Sequence, residues 1–211
     1  MAHTDTSRRK QAVSDLKRTM ILDAARAVFE SEGLEGASLR AIAAAAGYTP
    51  AAIYFHFESK EAIYAELLQE SLSRLHDAIA EAARNSRTPE ARLMAAAMGF
   101  FRYYAKRPRD LDLGFYLFRG GMKPAGLGPE RDEALNEALE AALLPIKEAV
   151  KGFNASDREA TLVAADIFAH ATGLLLLTHT GRIRMFGVSA EQRMRLYVDA
   201  VISALKSASA S

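Results

Sequence analysis

The side chains best suited to chemistry gather in one stretch, residues 38–60, which reads SLRAIAAAAGYTPAAIYFHFESK. Thr49, Tyr54, His56 and Lys60 offer hydroxyl, phenol, imidazole and ammonium donors, the groups that bind phosphate oxygens. Pro50 and Ala51 can lie against a thymine methyl, while the Arg40 guanidinium can either take a guanine edge or clamp a phosphate. Ser38 completes the set. These residues serve recognition rather than reaction. The chain holds no GxSxG elbow, no HExxH, no P-loop and no GxGxxG fingerprint, so no catalytic residue and no cofactor is expected. Metal is not expected either: His170 and His179 are half a turn out of phase on one helix, so they cannot aim at one ion.

Such residues need a rigid mount, and the local signals describe one. Ser38 is a good N-cap, and Leu39, Ile42, Ala43 and Ala46 recur behind it at helical spacing. Gly47 ends that helix in the left-handed conformation. Thr49 then caps a second helix with Pro50 at its first position, running to about Phe55 with Ile53 turned inward. Helix, glycine turn and helix is the plan in which the second helix enters the DNA major groove. A preceding helix from Ser14 to just before Gly33 buries Ile21, Ala25, Val28 and Phe29. Lys17 and Arg18 on its first turns are either phosphate contacts or ordinary surface charge. Residues up to about Val13, with Arg8, Arg9 and Lys10, read as a mobile arm, either solvated or touching DNA.

From about Lys17 to Leu68 the chain resembles the TetR/AcrR transcriptional regulators. The family's YxHF-x-x-K-E-x-L pattern appears as Tyr54, His56, Phe57, Lys60 and Glu61, with Ile63 where Leu is usual. The resemblance implies a homodimer whose two recognition helices occupy successive major grooves of a double-stranded operator. It also implies a C-terminal helical domain that binds a small effector.

Composition is consistent with helices: half of the 211 residues are apolar, alanine is abundant and only 6 are proline. Net charge is +1, so DNA affinity must come from local arrangement rather than a global cationic field. The absence of cysteine excludes disulfides and thiolate sites. The opening residues lack an apolar core, and the most apolar stretch, Ile167 to Leu177, is shorter than the roughly 20 residues a bilayer needs. A cytoplasmic protein without membrane association is expected.

Beyond the reader, a long fourth helix runs from Ser59 to about Arg84 with Ile63, Leu67, Leu72, Leu75 and Ile79 inward. Thr88 and Pro89 restart a fifth, which Pro108 ends. A sixth, about Asp110 to Arg119, precedes a Gly/Pro-rich loop. A seventh, Glu130 to Lys151, carries an internal Pro145. Ser156 with Glu159 and Ser189 with Gln192 form capping boxes for the last two helices, and the tail KSASAS reads as unstructured. The resemblance has those last two helices pair with their copies in a second subunit.

Phe100, Tyr103, Tyr104, Phe115, Tyr116 and Phe118 are either core or the walls of an effector pocket, with Arg119, Asp166 and His170 as polar partners. Asp166 and His170, at i and i+4, either orient a ligand or satisfy each other at a subunit interface. The fold expected is all-α, about nine helices. Residues 14–60 form a three-helix DNA-binding domain and 61–211 an effector-binding and dimerisation domain. The function expected is a repressor released from a palindromic operator by an apolar or amphipathic effector. The competing reading is an all-helical carrier or enzyme with a vestigial reader.

Overall fold

Gly33 sets the first boundary. In a computed structural model, which describes residues 2–114 and 127–209, its φ of 72° and ψ of 175° interrupt α1 (Ala2–Gly36). The expected helix end is therefore real, but its start is not at Ser14. The segment to Val13, expected as a mobile arm, is helical. It contains no Gly or Pro, its Arg, Lys, Gln and Ala are good helix formers, and Gln11 donates to Asp15 one turn on at 2.8 Å. Residues 7–12 are exposed, so local propensity rather than burial holds this part.

Eight further α-helices follow among the described residues, which contain no strand: α2 (Leu39–Ala46), α3 (Pro50–Tyr54), α4 (Lys60–Ala83), α5 (Pro89–Lys106), α6 (Pro108–Gly114), α7 (Pro129–Lys151), α8 (Asp157–His179) and α9 (Ala190–Ser209). A 3₁₀ turn over Arg182–Phe186, which no local signal announced, joins the last two. The tail is a further correction. α9 runs on through Ser209: Ser203 and Ser207 donate to the carbonyl one turn back, and the single Ser209 hydroxyl proton has the carbonyls of Leu205 and Phe153 within reach. Of the sixth helix as expected, residues 115–119 lie outside the described residues.

The chain divides into two compact units, Met1–Glu70 with Asp112–Leu135 and Ser71–Leu111 with Asn136–Ser211. In the first, the inward stripe of α1 (Ile21, Leu22, Ala25, Val28, Phe29) meets Ile42 and Ala43 of α2, Ile53 of α3 and Ile63, Leu67 and Leu68 of α4, all buried. Each such aliphatic side chain contributes about 1.5–3 kcal/mol on burial. Phe29 and Tyr64 pack edge to face at 4.9 Å, and the Tyr64 hydroxyl donates to Leu113 O at 2.8 Å.

The second unit is built on α5, which buries Leu93, Ala96, Ala97, Met98, Phe100, Phe101, Tyr103 and Tyr104. α4 crosses it so closely that a Cβ on Gly99 would stand 2.9 Å from that of Ala82, which excludes any larger residue there. Thr88 caps α5 by accepting from Ala91 N. Ser156 and Glu159 close their capping box at the start of α8, and His179 at its far end bonds the Tyr104 carbonyl at 3.0 Å.

Candidate nucleic-acid interface

The turn between α2 and α3 is closed entirely by backbone. Gly47 adopts φ 72° and ψ 27°, Tyr48 N donates to Ala43 O at 2.8 Å and Gly47 N to Ala44 O at 3.2 Å, the paired bonds of a Schellman ending. The caps form on both sides: Ser38 Oγ accepts from Ala41 N at 3.1 Å and Thr49 Oγ1 from Ala52 N at 3.3 Å. α3 is only five residues long, too short to hold a direction by itself, so its pose depends on side-chain anchors. Ile53, with no exposed surface, and Phe57 just beyond the helix are two of them.

The opposite face of α3 is open. Ser38, Arg40, Thr49, Pro50, Ala51 and Tyr54 are all exposed, and His56 is half-buried. Arg40 has no ion pair or hydrogen bond among the described residues, so its guanidinium is available. Phe55, which the sequence reading passed over, is 88% exposed. Tyr54 beside it is 61% exposed. The helical start of α1 adds to the open face: Lys10 and Lys17 join Phe55 and His56 around a groove of about 280 Å³.

Lys60 does not reach outward. Its ammonium donates to Leu34 O at 2.8 Å, Ala37 O at 3.0 Å and Glu35 O at 3.1 Å, so all three protons are spent closing the end of α1. Arg18 likewise turns inward, to Glu66 and the His56 carbonyl. Neither role had a signal in the sequence, since both partners lie more than 20 residues away.

A backbone-closed turn, a short capped helix with one buried anchor and an uncovered opposite face are the parts of a helix-turn-helix. Residues 21–67 match the family model described as bacterial regulatory proteins, tetR family. Over those residues the chain is similar to the TetR family. A transcriptional repressor, AcnR, from Corynebacterium diphtheriae is 35% identical over 66 residues, covering 31% of this chain and 35% of that protein. A transcriptional activator, FasR, from Mycolicibacterium smegmatis is 34% identical over 87 residues, covering 41% and 40%. The chain thus matches little more than a third of the length of these relatives. The FadR regulator of Bacillus subtilis, solved with stearoyl-CoA, superposes with a TM-score of 0.64 over 90% of this chain and 97% of that one. At 18% identity that likeness carries the fold alone.

Of the residues suggested for an effector site, Phe100, Tyr103, Tyr104, Asp166 and His170 are described. Phe100, Tyr103 and Tyr104 are buried and packed edge to face, with Phe168 on Phe100 at 5.7 Å. The Tyr103 hydroxyl donates to Asp110 at 3.1 Å, and burial holds the Tyr103 phenol above its ordinary range. Asp166 is exposed. Phe115, Tyr116, Phe118 and Arg119 lie outside the described residues.

His170 stacks on Tyr197 at 3.9 Å, with Nε2 buried and without a hydrogen-bond partner among the described residues. Burial, and secondarily Arg193, hold the imidazole below its ordinary pKa of 6.5. The unfolded chain therefore takes up this proton first as pH falls below 6.5, and stability declines toward the lower folded value. Melting curves between about pH 7.5 and 5.5 are expected to show a slope that His170→Phe reduces; equal slopes in both chains would refute the assignment.

Proposed function

We propose that the chain is a dimeric transcriptional regulator, a repressor that leaves a palindromic operator when an apolar or amphipathic small molecule occupies its second unit. The observation that carries the DNA-binding part is the asymmetry of α3: Ile53 fully buried, with Thr49, Pro50, Ala51, Tyr54 and Phe55 uncovered on the other side. The groove-facing set lacks Asn, Gln and Arg, so direct base reading falls to Arg40 on α2, with Tyr54, His56, Lys10 and Lys17 on phosphates. The names of the relatives, one a repressor and one an activator, agree with regulation of transcription and leave its sign to experiment. The fold neighbour's stearoyl-CoA makes a long-chain acyl compound the first effector to try.

The dimer reading rests on α8. By length and composition it could cross a membrane, with a mean hydropathy of 1.7 over its most apolar window, yet only 33% of that window is buried within the chain. Leu162 and Leu176 are 57% and 60% exposed on it. A second copy is the occupant that this family assignment favours for such a face.

Fluorescence anisotropy against palindromic duplexes from beside the gene, repeated over a salt series, tests the reading. Binding that exceeds that of random DNA and weakens with salt is expected. Equal affinity for every duplex would instead favour a nucleoid-type binder, and no affinity for any duplex a helical carrier. Arg40→Ala should relax preference at one base position at a cost of about 1–3 kcal/mol; a uniform loss across sequences would move Arg40 to the phosphates. Linkage requires the coupling to be reciprocal, so saturating operator must weaken effector binding by the same factor.

A further inference from the structure

The short recognition helix has a third anchor that is electrostatic. Arg18, on α1, forks onto the Glu66 carboxylate of α4: Nε donates to Oε1 at 2.8 Å and Nη2 to Oε2. Nη1 donates to the His56 carbonyl at 2.8 Å, and the guanidinium lies 4.2 Å over the Phe57 ring. One side chain therefore touches the exit of α3 twice while being held from behind by α4. Side-chain exposures of 38% for Arg18 and 28% for Glu66 place the fork at the edge of solvent rather than in the core.

The geometry points to Arg18 as a positioning residue for DNA recognition, with Glu66 as its brace. We propose that this clasp sets the angle at which α3 is presented, and that without it the reader folds but loses its preference for the operator. The proposal rests on the DNA-binding reading above. The planar fork is essential because it delivers N–H groups to a carboxylate and a carbonyl at once while stacking on a ring. A lysine ammonium carries the same charge but cannot do all three.

Charge gives the test its sharpness. Glu66 is an acid, so on electrostatic grounds alone its removal should strengthen binding to a polyanion. The clasp predicts the reverse. Glu66→Gln and Arg18→Lys should each lower affinity about tenfold for a palindromic duplex that the wild-type chain has selected from a random pool. Affinity for a scrambled duplex of equal length, and the salt slope, should change little. The double variant should be no weaker than either single one, because the two residues act as a unit. Measurements belong below the melting temperature of every variant, with far-UV circular dichroism showing native helix content.

Glu66→Gln that binds the selected duplex as well as or better than wild type overturns the proposal, as does Arg18→Lys with full affinity. An Arg18→Lys or Arg18→Gln loss that is equal on both duplexes, with a salt slope smaller by about one, makes Arg18 a phosphate contact and also overturns it. A wild-type chain that prefers no duplex removes the DNA-binding reading itself, and this proposal with it. The clasp alone fails where wild type selects its duplex and either the Glu66 variant does too or an Arg18 variant gives one of the two outcomes just named.

Discussion

Lys60→Met is expected to destabilise the first unit by roughly 2–3 kcal/mol, seen as a lower urea midpoint with unchanged slope. The ammonium donates to three carbonyls at the end of α1, those of Leu34, Glu35 and Ala37, at 2.8 to 3.1 Å. Each hydrogen bond to a charged group is worth about 1.5–3 kcal/mol net, but the carbonyls are near solvent and water will recover part of the loss. Methionine keeps the apolar stem, so the measurement isolates the ammonium. The position matters because the Gly33 break leaves residues 34–37 to be held from outside the helix, and Lys60 begins α4. The donor chemistry read from the sequence gives Lys60 to a phosphate, and the two assignments separate cleanly. A phosphate contact would leave the urea midpoint in place and reduce the salt slope of DNA binding by about one.

That contrast shows where a sequence stops being readable. Signals confined to a few residues were legible: the Ser38 and Thr49 caps, the Gly47 ending, the Thr88–Pro89 restart and the box of Ser156 and Glu159 all form where local chemistry places them. The inward stripes of α1 and α4 were legible for the same reason, since periodicity is local. Lys60 and Arg18 were not, because a cation's partner is set by tertiary packing and each finds its own on another helix. α1 was misread at its start because a polar run looks like a loop by composition, whereas helix propensity and an i,i+4 bond suffice to wind it. Phe55 was passed over because a phenylalanine at a helix end carries no local sign of its exposure, which tertiary packing decides.

The largest effect is expected at α8, where Leu176→Glu should split the proposed dimer. Leu162, Ala169, Gly173 and Leu176 are exposed and recur at intervals of three, four and seven, which puts them on one helical face. Between the two leucines the face is small: a Cβ added to Gly173 would meet nothing within 4 Å, so there is room for a second helix to come close. Twofold symmetry counts each residue twice. Losing about 2 kcal/mol of apolar burial per leucine gives about 4 kcal/mol per dimer, a dissociation constant raised by roughly a thousandfold, before the cost of desolvating two carboxylates is added. Operator binding should fall with it, because a single reader holds one half-site and only the pair spans successive grooves about 34–36 Å apart. Sedimentation equilibrium at micromolar concentration measures the first effect and anisotropy on the palindrome the second. Leu196→Glu, on the 57% exposed leucine of α9, extends the test to the neighbouring helix. If Leu176→Glu sediments as wild type does, the dimer face lies elsewhere and the exposed stripe on α8 must be covered by something other than its own copy.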